Sequence, residues 1–161
     1  MNGATPRRIF VTGGTGYLGC HLLPELVQRG HEVTALVRSG SERKLASGCR
    51  PVLGDPLNQA TFQKDIAPAD TFVQLVGVPH PSPAKALEFR TIDLVSVRES
   101  ATAATSSRIH HFVYLSVAHP APIMKAYLEV RAEGEAILRQ SGLNATFVRP
   151  FYVLGPGHRW P

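Results

Sequence analysis

At 161 residues the chain has room for one domain with a sizeable core, and a hydrophobic share of 43% beside 18% charged residues separates it from disordered and fibrous sequences. No uninterrupted apolar run reaches the ~20 residues of a membrane span, and two unpatterned cysteines, Cys20 and Cys49, make neither a disulfide framework nor a zinc site. The net charge of +5 is spread without an arginine-rich run, an aromatic stacking motif or a DNA-reading module, which argues against sequence-specific nucleic-acid binding and suits an anionic small molecule.

Residues 1–8 hold no long apolar stretch, so the expectation is a chain without a secretion signal, in the cytoplasm. Ile9-Phe10-Val11-Thr12 then runs straight into Gly13, Gly16 and Gly19 and a helix over 17–29, whose Leu18, Leu22, Leu23, Leu26 and Val27 share one face. A strand that turns sharply, admits a diphosphate to bare backbone and aims a helix N-terminus at it needs glycine at those points. Gly13, Thr15, Gly16, Tyr17 and Leu18 are therefore the expected pyrophosphate cradle of a dinucleotide. Pro24 lies inside the helix, and Gly30 is placed to end it in a left-handed cap.

The second strand, 31–37, closes on Arg38, and a polar loop follows with Ser39, Ser41, Arg43 and Lys44. A short third strand over 50–55 and a weak helix over 57–64 come next. A buried-type strand over 70–77 opens into a proline-rich loop over 78–83, read as a rigid connection or a functional lid. A helix of about five turns over 84–106, a strand over 111–116, a helix over 123–140 and a strand over 144–149 complete the pattern. Alternating strands and helices with short connections mean parallel βαβ units in a doubly wound α/β sheet of Rossmann type, in the order 3-2-1-4-5-6, as one domain over 1–161. Ligands of such sheets lie beyond the carboxyl ends of the strands, so the residues after Val11, Val37, Leu53, Val76, Leu115 and Val148 should converge.

Those ends carry the candidate site. Arg38 stands where an acidic residue would bind ribose hydroxyls and repel a 2′-phosphate; arginine does the opposite, so NADP(H) is expected, with NAD(H) the second option. Asp55 has two readings, an acceptor for the adenine amino group or the start of a turn with Pro56. Leu75, Val76 and Gly77 should wall the adenosine ribose. Tyr127 and Arg131 lie four apart, on one helix face. Such a tyrosine can pass a proton to a substrate oxygen beside a cation, and the arginine can reach ribose hydroxyls. The same spacing is also common among ordinary surface residues of a helix.

Together, Thr12-Gly13-Gly14-Thr15-Gly16-Tyr17-Leu18-Gly19, Gly30-His31-Glu32-Val33, Leu36-Val37-Arg38, Gly54-Asp55, Tyr114-Leu115-Ser116, Tyr127 with Arg131, residues 133–138 and the Arg149-Pro150 segment through Gly157 carry a family likeness. The chain resembles, over nearly its whole length, the short-chain dehydrogenase/reductase superfamily in its extended and atypical branches. These include sugar-nucleotide epimerases and dehydratases, NmrA-like proteins and the accessory NAD(P)H-binding subunit of respiratory complex I. The resemblance implies Tyr127 as the catalytic tyrosine and Pro150, Phe151 and Val153 against the nicotinamide carboxamide. It also implies that Ser116, or Ala118 in its place, occupies the position that orients the substrate.

Arg131 departs from the lysine those enzymes carry, and the sequence stops at Pro161 where family members continue into a substrate-binding region. A fragment, a site closed by a partner, or cofactor binding without turnover are the options this opens. Two functions stand. One is an NAD(P)-dependent oxidoreductase, epimerase or dehydratase with Tyr127 as acid/base, Arg131 tuning it and Ser116 orienting a carbonyl. The other is a non-catalytic NADP(H) sensor or scaffold of the NmrA-like type that binds a protein partner. The small-molecule substrate is unspecified, no metal is expected, and the two long helices either pair across a homodimer or pack on the sheet.

Overall fold

Six parallel strands form one sheet: β1 (Arg8–Thr12), β2 (Glu32–Val37), β3 (Arg50–Leu53), β4 (Thr71–Gln74), β5 (His111–Leu115) and β6 (Ala145–Val148). Their order is β3-β2-β1-β4-β5-β6, as the alternation of strands and helices predicts. The computed structural model describes residues 5–118 and 124–157. The chain reverses its direction of travel across the sheet between β1 and β4, where the connections part to opposite sides and leave a crevice at the carboxyl edge. Register fixes that edge: Thr12 lies opposite both Leu36 and Gln74, Gln74 opposite Tyr114, and Leu115 opposite Val148.

The period-2 alternation of each strand divides its apolar side chains between two cores. On one face Ile9, Val11, Val33, Ala35 and Val73 pack under Leu23 of α1 (Tyr17–Gln28). That helix ends as expected, with Gly30 at φ +82° donating its amide to the Val27 carbonyl at 2.9 Å. On the other face the rings of Phe10, Phe72 and Phe112 form a row across three strands, with centroids 5.3 and 5.0 Å apart. Each is fully buried, a burial worth about 1.5–3 kcal/mol per side chain.

Over this aromatic row lie α3 (Val95–Ser106) and α4 (Lys125–Gln140), which bury Val97, Ala101, Ala104, Val130 and Leu138 against the sheet. The apolar faces of the two long helices thus pack on the sheet. On the outer side Arg98 of α3, and Arg90 in the segment just before it, reach Glu133 of α4 at 3.9 and 3.5 Å. The expected start of the last helix at Ile123 lies outside the described residues.

Two segments differ from expectation. The stretch 57–64 is no α-helix but two 3₁₀ turns, Gln59–Thr61 and Gln63–Asp65. The Asn58 side chain caps the Ala60 amide, and the Thr61 hydroxyl donates to the Asn58 carbonyl at 2.8 Å, so local side-chain bonds outcompete helical ones. The segment 84–106 is interrupted: α2 (Ala86–Glu88) leads into a π-helical segment, Phe89–Leu94, before α3. The wider turn there buries Phe89, Asp93 and Leu94 together. Such π insertions tend to mark functional sites.

Candidate functional site

The β1–α1 turn has the shape of an anion cradle. Gly13 sits at φ +80°, in the left-handed region, and a Cβ there would stand 2.7 Å from the Leu75 carbonyl carbon and 2.8 Å from the Val76 nitrogen. No side chain heavier than hydrogen fits. Gly16 donates its amide to the Gly13 carbonyl at 3.1 Å and begins α1 as its N-cap, while a Cβ on Gly19 would collide with the backbone of Gly14. No side chain caps the first amides of α1 and its first turn holds no acid, so the positive end of the helix stays open toward an anion. These residues fit the diphosphate of a dinucleotide. Thr15, Tyr17 and Leu18, all half-buried, border the same turn.

On the adenosine side Arg38 is exposed immediately beyond β2, and Ser39, Arg43 and Lys44 are exposed nearby, the last two on a 3₁₀ turn over Glu42–Lys44. Asp55 follows β3 and accepts the Leu57 amide at 2.9 Å through Oδ1, the geometry of the turn reading. Leu75 and Val76 back directly onto Gly13, which places the end of β4 beside the cradle. Gly77 has a different neighbour from the one expected: the space its Cβ would fill holds the Nη2 of Arg131.

At the β5–α4 end the charged side chains are engaged within the protein, while the buried Tyr114 hydroxyl and Arg131 Nε have no hydrogen-bond partner. The Arg131 guanidinium is buried, with Nη2 on Asp93 Oδ1 at 2.6 Å and Nη1 donating to the Leu115 carbonyl at 2.8 Å. Asp93 Oδ2 accepts the Val78 amide at 3.0 Å. Burial pushes the Asp93 carboxyl above its ordinary value, against the pull of Arg131 and the Val78 amide, and burial raises the Tyr114 phenol as well. The half-buried Tyr127 ring lies over the guanidinium at 5.1 Å and against the Phe89 ring at the same centroid distance. Tyr127 and Arg131 are thus brought together, face to cation.

Ser116 is buried and donates its hydroxyl to Glu135 Oε1 at 2.7 Å. Arg149 forks onto the same carboxylate at 2.7 and 2.5 Å, and Arg139 adds a bond at 2.7 Å. Hydrogen bonds from Arg149, then Ser116 and Arg139, hold the Glu135 carboxyl at about 2, against the raising effect of burial. This cluster ties the end of β5 to that of β6, where the Ser116 amide bonds the Val148 carbonyl and the Ala118 amide bonds that of Pro150. Past β6, half-buried Pro150 and Val153 and exposed Phe151 belong to a strap that runs back to α1, where the Tyr17 hydroxyl donates to the Pro156 carbonyl at 3.2 Å. Among the described residues no His, Cys, Asp and Glu cluster could hold a metal.

Asp93 and Glu135 were not singled out by the sequence. Asp93 interrupts the apolar run Ile92, Leu94 and Val95, a sign of a buried charge needing a cation. Glu135 stands four residues from both Arg131 and Arg139, a spacing that offers either arginine as its partner.

A family model described as NAD(P)H-binding matches residues 13–156. The 4-hydroxy-2-methyl-3-oxo-4-farnesyl-3,4-dihydroquinoline-1-oxide ketoreductase of Stigmatella aurantiaca is 30% identical over 92% of this chain and 51% of its own. Ceramide reductase of Caulobacter vibrioides is 28% identical over 92% of this chain and 47% of its own. The chain thus spans about half the length of the curated relatives it matches. Among solved structures, MoeE5 in complex with UDP-glucose and NAD superposes with a TM-score of 0.78 at 23% identity, over 94% of this chain and 56% of that one. At that identity the likeness speaks for the fold.

Proposed function

The chain belongs to the NAD(P)H-binding family, within the extended and atypical short-chain dehydrogenases/reductases, and on that premise we propose that it binds NADP(H) in the glycine cradle to reduce a carbonyl, with Tyr127 as proton donor. The carrying observation is the Gly13 turn, closed to any Cβ by Leu75 and Val76 and faced by an uncapped helix N-terminus. Bound there, the dinucleotide supplies the hydride. Gly13, Thr15, Gly16, Tyr17 and Leu18 would hold the diphosphate through backbone amides, and Leu75 and Val76 would wall the adenosine ribose.

Arg38 would accept the 2′-phosphate in charge-assisted bonds, which supports NADP(H) over NAD(H). Asp55, whose Oδ1 serves the turn, keeps Oδ2 for the adenine side. Pro150, Phe151 and Val153 on the strap would close over the nicotinamide end and limit water there. Tyr127 would hand its hydroxyl proton to the oxygen that becomes the product alcohol. Ser116 and Arg131 would act behind it, the first by bracing Glu135 and the second through the Tyr127 ring face. Carbonyl reduction is favoured because the two relatives above are a ketoreductase and a ceramide reductase.

The test is hydride transfer from NADPH to a panel of ketones, followed by loss of NADPH absorbance. Turnover of at least one ketone is expected. Tight NADPH binding without turnover of any would assign a sensor or scaffold role instead.

A further inference from the structure

Resting on that reading, we propose that Asp93 is a positioning residue that withholds Arg131 from the cofactor: the pair acts as a buried bolt joining the β4 loop, the end of β5 and α4 beneath the nicotinamide end. Three attachments define the bolt. Asp93 takes Arg131 Nη2 on one oxygen at 2.6 Å and the Val78 amide on the other at 3.0 Å, and Arg131 Nη1 reaches across to the Leu115 carbonyl at 2.8 Å. The side chains are 0% and 4% exposed, so neither charge faces solvent or the cleft.

Both terminal nitrogens of Arg131 are thus engaged, Nη2 on Asp93 and Nη1 on the Leu115 carbonyl, and swinging the guanidinium toward a ribose hydroxyl would strip Nη2 from a buried carboxylate, which left alone is strongly unfavourable. The local backbone is built around this arrangement. Gly77 is the residue whose missing Cβ leaves room for Nη2, and the π-helical turn Phe89–Leu94 is what brings Asp93 inward. Charged and titratable groups facing the guanidinium are Asp93 from the π segment, Tyr114 from β5 and Tyr127 from α4, so within this cluster Asp93 alone balances the arginine. The consequence for function is indirect. The bolt sets the walls on which the nicotinamide and Tyr127 rest, while the cofactor's affinity comes from the glycine cradle and Arg38.

The experiment titrates NADPH into wild type, Asp93→Asn and the uncharged pair Asp93→Asn with Arg131→Met, reading affinity and the emission of the bound dihydronicotinamide. Amide exchange at Val78 is measured on the same proteins without ligand. Expected are dissociation constants within threefold of wild type, bound-state emission changed at least twofold, and Val78 exchange at least tenfold faster in Asp93→Asn. The uncharged pair removes the lone buried cation, so it carries the test if Asp93→Asn fails to fold. A tenfold or greater loss of affinity in the pair, with emission and Val78 protection kept, would make Arg131 a direct ligand and overturn the proposal. If wild type binds no NADPH, the dinucleotide reading fails on its own; the bolt is then judged by Val78, and unchanged exchange in both variants overturns it.

Discussion

The two ends of the carboxyl edge solve opposite problems. At the β1–α1 turn the protein leaves backbone donors bare: Gly13 excludes side chains, and α1 begins without a cap. At the β5–α4–β6 end it leaves almost nothing bare: Arg131 is spent on Asp93 and Leu115, and Ser116, Arg139 and Arg149 all converge on Glu135. A cradle of open amides recognises an anion by itself, whereas a set of mutually satisfied charges can only hold something else in place. Binding is thus expected from the first end and positioning from the second, with Tyr127 the group at the second end whose hydroxyl is proposed to do chemistry.

The contrast breaks most visibly at Tyr127. Tyr127→Phe should lower ketone turnover by about 10²–10⁴-fold, the range for a lost general acid, with NADPH affinity unchanged; equal turnover in steady-state assays would remove Tyr127 from the chemistry. Next comes Gly13→Ala, which sets an alanine at φ +80° with its Cβ 2.7 Å from the Leu75 backbone. Left-handed strain alone costs roughly 1–2 kcal/mol, and displacement of the β4 end adds to it. Calorimetry should show at least about tenfold weaker NADPH binding.

The positioning end predicts a pH effect on stability. Because Glu135 titrates near 2 in the folded protein against an ordinary 4.5, its contribution is complete above that ordinary value. It falls as pH drops from there and is gone below about 2. Since Arg149 and Arg139 are 44% and 56% exposed, the gain is discounted for solvent to about 2 kcal/mol. Glu135→Gln should accordingly lose that stability at neutral pH in urea titrations and flatten the acid limb; an unchanged limb would dissolve the cluster's role. The smallest effect sharpens the binding end: Arg38→Ala should weaken NADPH by about tenfold, near 1.4 kcal/mol, and leave NADH affinity alone. Equal losses for both cofactors would detach Arg38 from the 2′-phosphate.

The binding end was legible because its chemistry lives in the backbone, and backbone demands are written as glycines at fixed spacing. Gly13, Gly16 and Gly19 announced the turn, and the strand order followed from alternation together with the dinucleotide-binding type of sheet that this turn implies. The positioning end depends on long-range partners that spacing does not reveal. Nothing local says that Arg131 meets Asp93, 38 residues away, or that Ser116 and Arg149 share Glu135. The π-helical turn was hidden for the same reason: a periodic apolar pattern over 84–106 reads as one helix, and the wider turn that buries Asp93 with Phe89 and Leu94 serves a partner on another element. At 57–64 the helical reading failed because Asn58 and Thr61 bond the backbone locally, which composition alone does not weigh.

The claim beneath all of this is that the glycine turn grips a dinucleotide. Isothermal titration of the wild-type chain with NADPH and NADH tests it most directly. The account predicts saturable heat with both and tighter binding of NADPH, whereas no heat from either at millimolar concentration would contradict it.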